Sequence, residues 1–233
     1  MVMNKIRSQA FSLIELSIIL VIIGLLIVSI AVGSRMMEGA RLNKLMKETE
    51  DFRQSITVFV ATFGAYPGDI NNAFDFFGSV DGCTDDDVNS VSSGCNGNGN
   101  EIINWDKESY RVNQHLSLAE LLPGSYNGTS DNYISSYKKG LYQPPFPCSD
   151  AGYNKMGVNC HQLGNSSDIN GAVLSPLDQY KIDQKLDDGA PKTGDIRFRV
   201  VGDVTDATCG SSSGYLIDKT ELGCNFLYVV DVL

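Results

Sequence analysis

Six cysteines are the residues of this chain with the most evident chemistry. They fall into three couples of sequence neighbours: Cys83 with Cys95, Cys148 with Cys160, and Cys209 with Cys224. An even number of cysteines in an exported protein is typical of disulfides, each of which constrains the unfolded chain and so stabilises the fold. Pairing of neighbours is the favoured arrangement, although six cysteines permit many others. The absence of any C-x-x-C pair disfavours a zinc site.

Alternating asparagines are a second, weaker candidate for chemistry. Asn96, Asn98 and Asn100 alternate with glycines, and the acidic run 85–87 precedes them. Alternating oxygen ligands are typical of a calcium loop, but such loops normally carry carboxylates and a closing bidentate glutamate. The main prediction is therefore a turn-rich loop, with calcium as the alternative. No other metal or cofactor is expected.

Signatures of catalysis are weak in this sequence. The two histidines, His115 and His161, stand in no nucleophile or metal motif such as GxSxG or HExxH. Three aspartates, Asp183, Asp187 and Asp188, form a small acidic set that we expect in a solvated turn. We expect no enzyme activity from these residues, which favours a structural or binding role.

One further carboxylate stands in an unusual place. The chain is apolar from Phe11 to Val32, and Glu15 is the only ionisable side chain in that run. An acidic group within a membrane segment is costly, so it generally marks a function. As a helix the run would be about 33 Å long, enough to cross a hydrocarbon layer of about 30 Å. We therefore expect a transmembrane helix over 11–32 whose carboxylate has a dedicated role.

A short basic leader, 1–10, precedes the apolar run. It carries Lys5 and Arg7 and ends in Ala10. The basic residues predict a leader in the cytoplasm, with the chain after the apolar run on the other side of the membrane. Because no good small-residue cleavage site comes after Val32, the apolar run is expected to be retained after export.

Charge and periodicity characterise the chain beyond the membrane segment. The net charge of −10 disfavours direct nucleic-acid binding. Apolar residues continue at helical spacing, which predicts an amphipathic helix over 33–63 that stops before Gly64 and Pro67. The positions on its apolar face are Leu45, Thr49, Phe52, Ile56, Phe59 and Phe63.

The remaining residues, 64–233, predict an α+β head. We expect a helical turn at 73–77, a loop over 81–100 that a pair of cysteines closes, and a short helix over 113–122. Alternating apolar residues predict strands over 195–201 and 226–233. These strands would form a small antiparallel sheet that buries the apolar face of the long helix.

The segment 1–35 resembles the processing and assembly signal of type IV pilins and type II secretion pseudopilins. The resemblance rests on the basic leader, on Ala10 before the cut, on Phe11 after it, on Glu15 and on the retained apolar helix. It implies cleavage between Ala10 and Phe11 by a prepilin peptidase, with methylation of the new amine. It also implies a pilin-like fold, in which Cys209 and Cys224 resemble the carboxy-terminal disulfide loop of type IV pilins.

Filament assembly is the function that this resemblance implies. Glu15 would pair with the Phe11 amine of an adjacent subunit, because two opposite charges in a low-dielectric core favour the matched register. The implied partners are the prepilin peptidase, other pilin or pseudopilin subunits, and an assembly platform with its ATPase. Before assembly the chain would lie in the bacterial inner membrane with its head in the periplasm, and afterwards in a periplasmic or cell-surface filament.

A hypothesis of another class is a membrane-tethered periplasmic domain that binds or senses a ligand and never polymerises. The two hypotheses differ at the amino terminus. A filament subunit would begin at Phe11, whereas a tethered domain would keep its leader.

Overall fold

The computed structural model describes residues 12–80, 83–91, 93–105, 107–129, 133–151 and 158–231. The expected cleavage pair, Ala10 and Phe11, lies outside these residues together with the rest of the leader. The chain divides into two units, Met1–Arg41 and Leu42–Leu233. We call residues 13–41 the stem, and Leu42–Leu233 the folded unit.

Four helices and nine short strands make up the described part of the chain. In chain order they are α1 (Leu13–Phe63), α2 (Ala73–Phe77), β1 (Thr84–Asp87), β2 (Gly94–Asn96), α3 (Glu108–Leu118), β3 (Tyr133–Ile134), β4 (Leu141–Pro147), a 3₁₀ turn (Cys148–Ala151), β5 (Asn159–Gly164), α4 (Pro176–Leu186), β6 (Ile196–Arg197), β7 (Gly210–Ser211), β8 (Gly214–Tyr215) and β9 (Phe226–Val229). The fold is α+β, as the sequence predicts.

Helix α1 ends where the sequence places its stop. Gly64 adopts a φ of 76°, a left-handed conformation that glycine reaches without strain. Its N–H donates to the carbonyl of Val60 at 2.8 Å, which closes the last turn, and Pro67 stands three residues later. The helix is continuous to this point because no proline interrupts it.

Within the folded unit, α1 buries one face. Thr49, Phe52, Ile56 and Phe59 are at most 4 % exposed, and Leu45 is fully buried, which confirms the predicted helical periodicity. Leu42 and Met46 extend this buried face, while Phe63 at its end is half-buried.

The main sheet has five strands in the order β3-β4-β5-β9-β6, and every neighbouring pair is antiparallel. Successive residues of a strand face opposite sides. His161 of β5 faces α1, with its ring centre 4.2 Å from that of Phe52. Its neighbour Cys160 belongs to a separate apolar cluster, which also contains Leu227 and Val229 of β9. The sheet is therefore packed on both faces.

Arg53 joins α1 to β9, an inner strand of this sheet. Its Nε donates to the backbone carbonyl of Val229 at 2.7 Å, and its guanidinium lies over the ring of Tyr228. The same guanidinium pairs with Asp195 at 3.4 Å and with Glu50 at 3.6 Å. A single side chain thus fixes the helix against β9 and against the segment before β6.

Three disulfides each connect a cysteine to the next cysteine along the chain. They are Cys83–Cys95, Cys148–Cys160 and Cys209–Cys224, with sequence separations of 12, 12 and 15. The second closes the β4–β5 hairpin, and the third anchors the β7–β8 hairpin to Cys224, two residues before β9. No described cysteine is free.

Four secondary-structure predictions were wrong in detail. The helix expected over 113–122 is α3, which begins at Glu108 and ends at Leu118. The strand expected over 195–201 is only Ile196–Arg197, because the side chain of Asn225 bonds both the N–H and the carbonyl of Arg199 and replaces a strand partner. The strand expected over 226–233 ends at Val229. The expected loop over 81–100 contains the parallel pair of β1 and β2.

Candidate functional site

The stem presents an unshielded apolar surface. Its large apolar side chains from Leu13 to Val32 are 44 to 88 % exposed. Among the described residues α1 is the one helix long and apolar enough to cross a membrane, and its most apolar window has a mean hydropathy of 3.0. Continuous exposed apolar surfaces of this kind mark contact with lipid or with other proteins. The stem therefore presents an apolar surface that the described part of the chain does not cover.

Serine hydroxyls in the apolar run are satisfied within the helix. Ser17 donates to the carbonyl of Ile14 at 2.8 Å, and Ser29 donates to the carbonyl of Leu25 at 2.8 Å. A hydroxyl that bonds its own helix carries no unpaired donor into a hydrocarbon layer. These serines are thus compatible with lipid and with a packed bundle of helices.

Glu15 caps the beginning of α1. Its Oε2 accepts the backbone N–H of Ser12 at 2.9 Å, and the Ser12 hydroxyl accepts the N–H of Ile14 at 3.4 Å. A serine with a glutamate three positions later is the capping-box pattern, in which the glutamate returns to the N–H of the capping residue. A negative charge in the first turn also complements the helix dipole.

This geometry places the carboxylate at the end of the helix nearest the expected cleavage point. Ser12 is adjacent in sequence to Phe11, whose amine would be free after cleavage. One oxygen of Glu15 is engaged by its own backbone, and the capping bond fixes where the charge lies. The arrangement can hold a cation next to the helix start while remaining capped.

Two carboxylates that the sequence did not single out are buried in the folded unit. Asp69, 1 % exposed, accepts three backbone N–H groups: Gly99 at 2.9 Å and Asn100 at 3.1 Å on Oδ1, and Glu101 at 2.7 Å on Oδ2. Burial raises the pKa of Asp69, and the three N–H bonds act against that rise. The only sequence signal was a short Y-P-G-D turn before a glycine-rich segment.

Glu108 is the second of these carboxylates and is the first residue of α3. Its Oε1 accepts the side-chain amide of Asn89 at 2.7 Å and the N–H of Asn98 at 3.1 Å, while Oε2 accepts the N–H of Asn104 at 2.8 Å. Burial raises the pKa of Glu108, and the Asp69 charge raises it further. Together the two carboxylates fix the segment 98–104 from inside.

The candidate calcium residues lie in this same segment. Asn96 accepts the N–H of Phe74 at 3.0 Å, Asn98 accepts that of Asn100 at 3.0 Å, and Asn100 accepts that of Ile102 at 2.9 Å. The side-chain oxygens of Asn98 and Asn100 are thus engaged in local turns, whereas that of Asn96 bonds the backbone of α2. The loop directs N–H groups toward the protein's own carboxylates, which is the polarity of an anion site. Calcium binding here stays a prediction.

The acidic set of α4 forms a compact turn. Ligand oxygens of Asp183, Asp187 and Asp188 lie within 4.8 Å of one another. Asp183 is buried and accepts the hydroxyl of Tyr215 at 2.6 Å and the N–H of Gly189 at 2.9 Å. Burial raises the pKa of Asp183 to about 6.

The other two aspartates of this set are also engaged. Asp187 accepts the N–H groups of Asp195 and Ile196, and Asp188 accepts the N–H of Ala190 and the hydroxyl of Thr193. The hydroxyl of Thr193 is the main cause that lowers the pKa of Asp188. The cluster connects α4 to β6 rather than offering an open set of ligands.

Both histidines are core residues. His115 accepts the N–H of Gly68 at 2.9 Å through Nδ1, and His161 bonds the hydroxyl of Tyr228 at 2.7 Å while lying 4.6 Å from the ring of Tyr142. Burial lowers the pKa of each to about 3, with the nearby Arg111 charge contributing at His115. Both rings are therefore neutral near pH 7 and serve packing.

Comparisons with known proteins add no information about the roles of these residues. No protein-family model, no curated protein and no solved structure matches the chain.

Proposed function

We propose that this chain is a structural subunit of a type IV pilus-like or type II secretion pseudopilus filament. In this proposal a prepilin peptidase cuts between Ala10 and Phe11, and the mature chain assembles through its stem. The observation that carries the proposal is the exposed apolar stem with one carboxylate fixed at its beginning. Such a surface can be covered by lipid or by the stems of other copies, and a subunit that moves from membrane to filament requires both.

Charge pairing supplies the specificity that an apolar surface lacks. Apolar helices pack against one another in several registers, whereas Glu15 has one matching cation in the mature chain's apolar segment, the Phe11 amine. Removing one partner from a buried ion pair costs about 3–5 kcal/mol, so a mismatched register would be strongly disfavoured. Glu15 would thereby set the axial position of each subunit.

Two variants of Glu15 separate this role from helix capping. Glu15→Gln keeps an oxygen that can accept the Ser12 N–H, because glutamine also serves in a capping box, but it removes the charge. Glu15→Ala removes both. If charge pairing directs assembly, both variants insert in the membrane and neither enters sheared filaments. Normal filaments from Glu15→Gln would contradict charge pairing and reduce Glu15 to a cap.

Glu38→Ala is the matched control for these variants. Glu38 lies in the stem beyond the apolar run and pairs with Arg41 at 3.4 Å. The same loss of a carboxylate there should leave filament yield unchanged. The mass of the mature protein tests processing independently, since a filament subunit begins at Phe11.

The second candidate is a membrane-tethered domain that does not polymerise. The capping box favours it to this extent: Glu15 has a local structural role that requires no second subunit. This candidate predicts an intact leader in the functional protein and no sheared filaments. It also predicts that Glu15→Gln behaves as the wild type.

A further inference from the structure

Four asparagine–glycine steps are present in the described chain: Asn96–Gly97, Asn98–Gly99, Asn127–Gly128 and Asn170–Gly171. Such steps are the most reactive for asparagine deamidation, because glycine places no side chain in the path of its own nitrogen. The reaction requires the glycine nitrogen to reach the asparagine Cγ and to lose its proton. The four steps differ in whether that nitrogen is available.

Three of the four glycine N–H groups are committed to hydrogen bonds. Gly97 donates to the carbonyl of Ile70 at 2.8 Å, and Gly171 donates to that of Asp168 at 3.0 Å. Gly99 donates to the carboxylate and to the backbone carbonyl of Asp69, both at 2.9 Å. An N–H bonded to a carboxylate is especially hard to deprotonate. Each of these nitrogens must give up a hydrogen bond before it can attack.

Gly128 is the exception, since its N–H has no acceptor in the described part of the chain. The guanidinium of Arg111 lies against the same backbone, with Nη1 3.4 Å from the carbonyl oxygen of Asn127. A Cβ on Gly128 would stand 2.6 Å from that Nη1. A positive charge this close favours the deprotonated form of a neighbouring nitrogen.

The asparagine of this step is also the best activated. Asn127 is exposed, and its Oδ1 accepts both the N–H of Thr129 at 3.0 Å and the hydroxyl of Thr129 at 2.7 Å. When the nitrogen attacks Cγ, negative charge develops on Oδ1, and two donors already positioned there stabilise it. By contrast, a single bond to Oδ1 is present at Asn98, from the N–H of Asn100.

We propose that Asn127 is a site of spontaneous deamidation, with Thr129 as the residue that stabilises the oxyanion. The Gly128 nitrogen bonds to Cγ of Asn127 and gives its proton to water. Nδ2 takes a proton from water, the bond from Cγ to Nδ2 breaks, and ammonia departs, which leaves a succinimide ring. Water adds to one of the two ring carbonyls and yields aspartate or isoaspartate. Water is the only reactant consumed, and the product carries one new negative charge beside Arg111.

The test is to incubate the full folded chain, in detergent and with its disulfides intact, at mildly alkaline pH. Peptide mass mapping over time then measures deamidation at each of the four steps. We expect Asn127 to react at least about tenfold faster than Asn96, Asn98 and Asn170. The same incubation in denaturant should bring the four rates together, because the fold no longer separates them. Comparable rates in the folded chain would overturn the proposal.

Thr129→Val is the second arm, since valine keeps the shape of threonine and lacks the hydroxyl. The backbone N–H of residue 129 remains, so the loop is expected to keep its conformation. Loss of one hydrogen bond to the oxyanion should slow deamidation at Asn127 about fivefold and leave the other three steps unchanged. An unchanged or faster rate in this variant would exclude the role of Thr129.

Discussion

The two halves of helix α1 have opposite environments although they form one continuous helix. Ile23 in the stem is 47 % exposed, whereas Ile56 in the folded unit is fully buried. Both are the same residue type in the same secondary structure. Helix formation therefore does not explain either environment, and the difference comes from the groups that each half packs against. The folded unit supplies its own sheet and loops, whereas no described residue covers the apolar side chains of the stem.

Polar groups show the same division. Glu15, Ser17 and Ser29 bond to groups within about one turn of their own helix. In the folded unit, Arg53 and Asp69 instead bond to backbone groups distant in sequence. Local bonds do not depend on neighbouring elements, so they are kept in any apolar surroundings of the stem. The distant bonds join elements of the folded unit that are far apart in sequence.

The sharpest test of this division is a pair of identical substitutions. Ile56→Ala should lower the free energy of unfolding by about 2–5 kcal/mol, because it leaves a cavity in a closed core. Ile23→Ala should leave the unfolding of the folded unit unchanged. Denaturant titration of the chain in detergent, monitored through Trp105, measures both, since this single tryptophan packs on Phe146 within the folded unit. Equal losses would mean that the two halves share one cooperative unit.

The disulfide before β9 provides the next largest effect. Replacing Cys209 and Cys224 together by serine should cost about 3 kcal/mol, because this bond closes a loop of 15 residues and restricts the unfolded chain. Helix content in detergent should fall little, since the stem contains no cysteine. Thermal unfolding with and without a reducing agent measures the loss. A variant as stable as the wild type would show that packing alone holds the β7–β8 hairpin.

Asp183 should make the folded unit depend on pH. Its pKa rises from 3.8 to about 6 on folding, so the fold favours the protonated form. The corresponding stability is present below pH 3.8 and is lost as pH rises through about 6, a change of up to about 3 kcal/mol. Asp183→Asn can still bond Gly189 and Tyr215 and has no such titration.

The expected result is a variant more stable than the wild type near neutral pH and equal to it in acid. Thermal unfolding of both proteins between about pH 4 and pH 7 measures the difference. Taking the difference cancels Asp69 and Glu108, whose pKa values are also raised and which titrate in both proteins. A pH-independent difference would mean that Asp183 is ionised throughout.

The smallest effect belongs to the exposed face of α1. Lys47 and Asp51 form an ion pair at 2.8 Å with both side chains more than half exposed. Lys47→Ala should change the free energy of unfolding by less than about 0.5 kcal/mol, because water and salt screen such pairs. The same denaturant titration checks this value. A loss of the size expected for Ile56→Ala would show that this face is buried in the state measured.

Local sequence patterns gave good predictions for α1 and poor ones for the sheet. The end of α1 was predictable because Gly64 and Pro67 act on their immediate neighbours. Strand β4 was missed, because Leu141–Pro147 contains three prolines and resembles a loop. Prolines cannot donate to a ladder, and the pairing of β4 with β5 shifts register between Gln143 and Phe146, around two of them.

By itself the sequence determined the long helix, its exposed apolar half, its buried face and the position of Glu15, since each depends on residue spacing along one element. The tertiary structure alone decided that Asp69 and Glu108 are enclosed by the asparagine-rich loop, that the acidic set binds Tyr215, and that Gly128 keeps an N–H without an acceptor among the described residues. These features depend on groups brought together from distant positions. Periodicity and local propensity carry no information about such pairings.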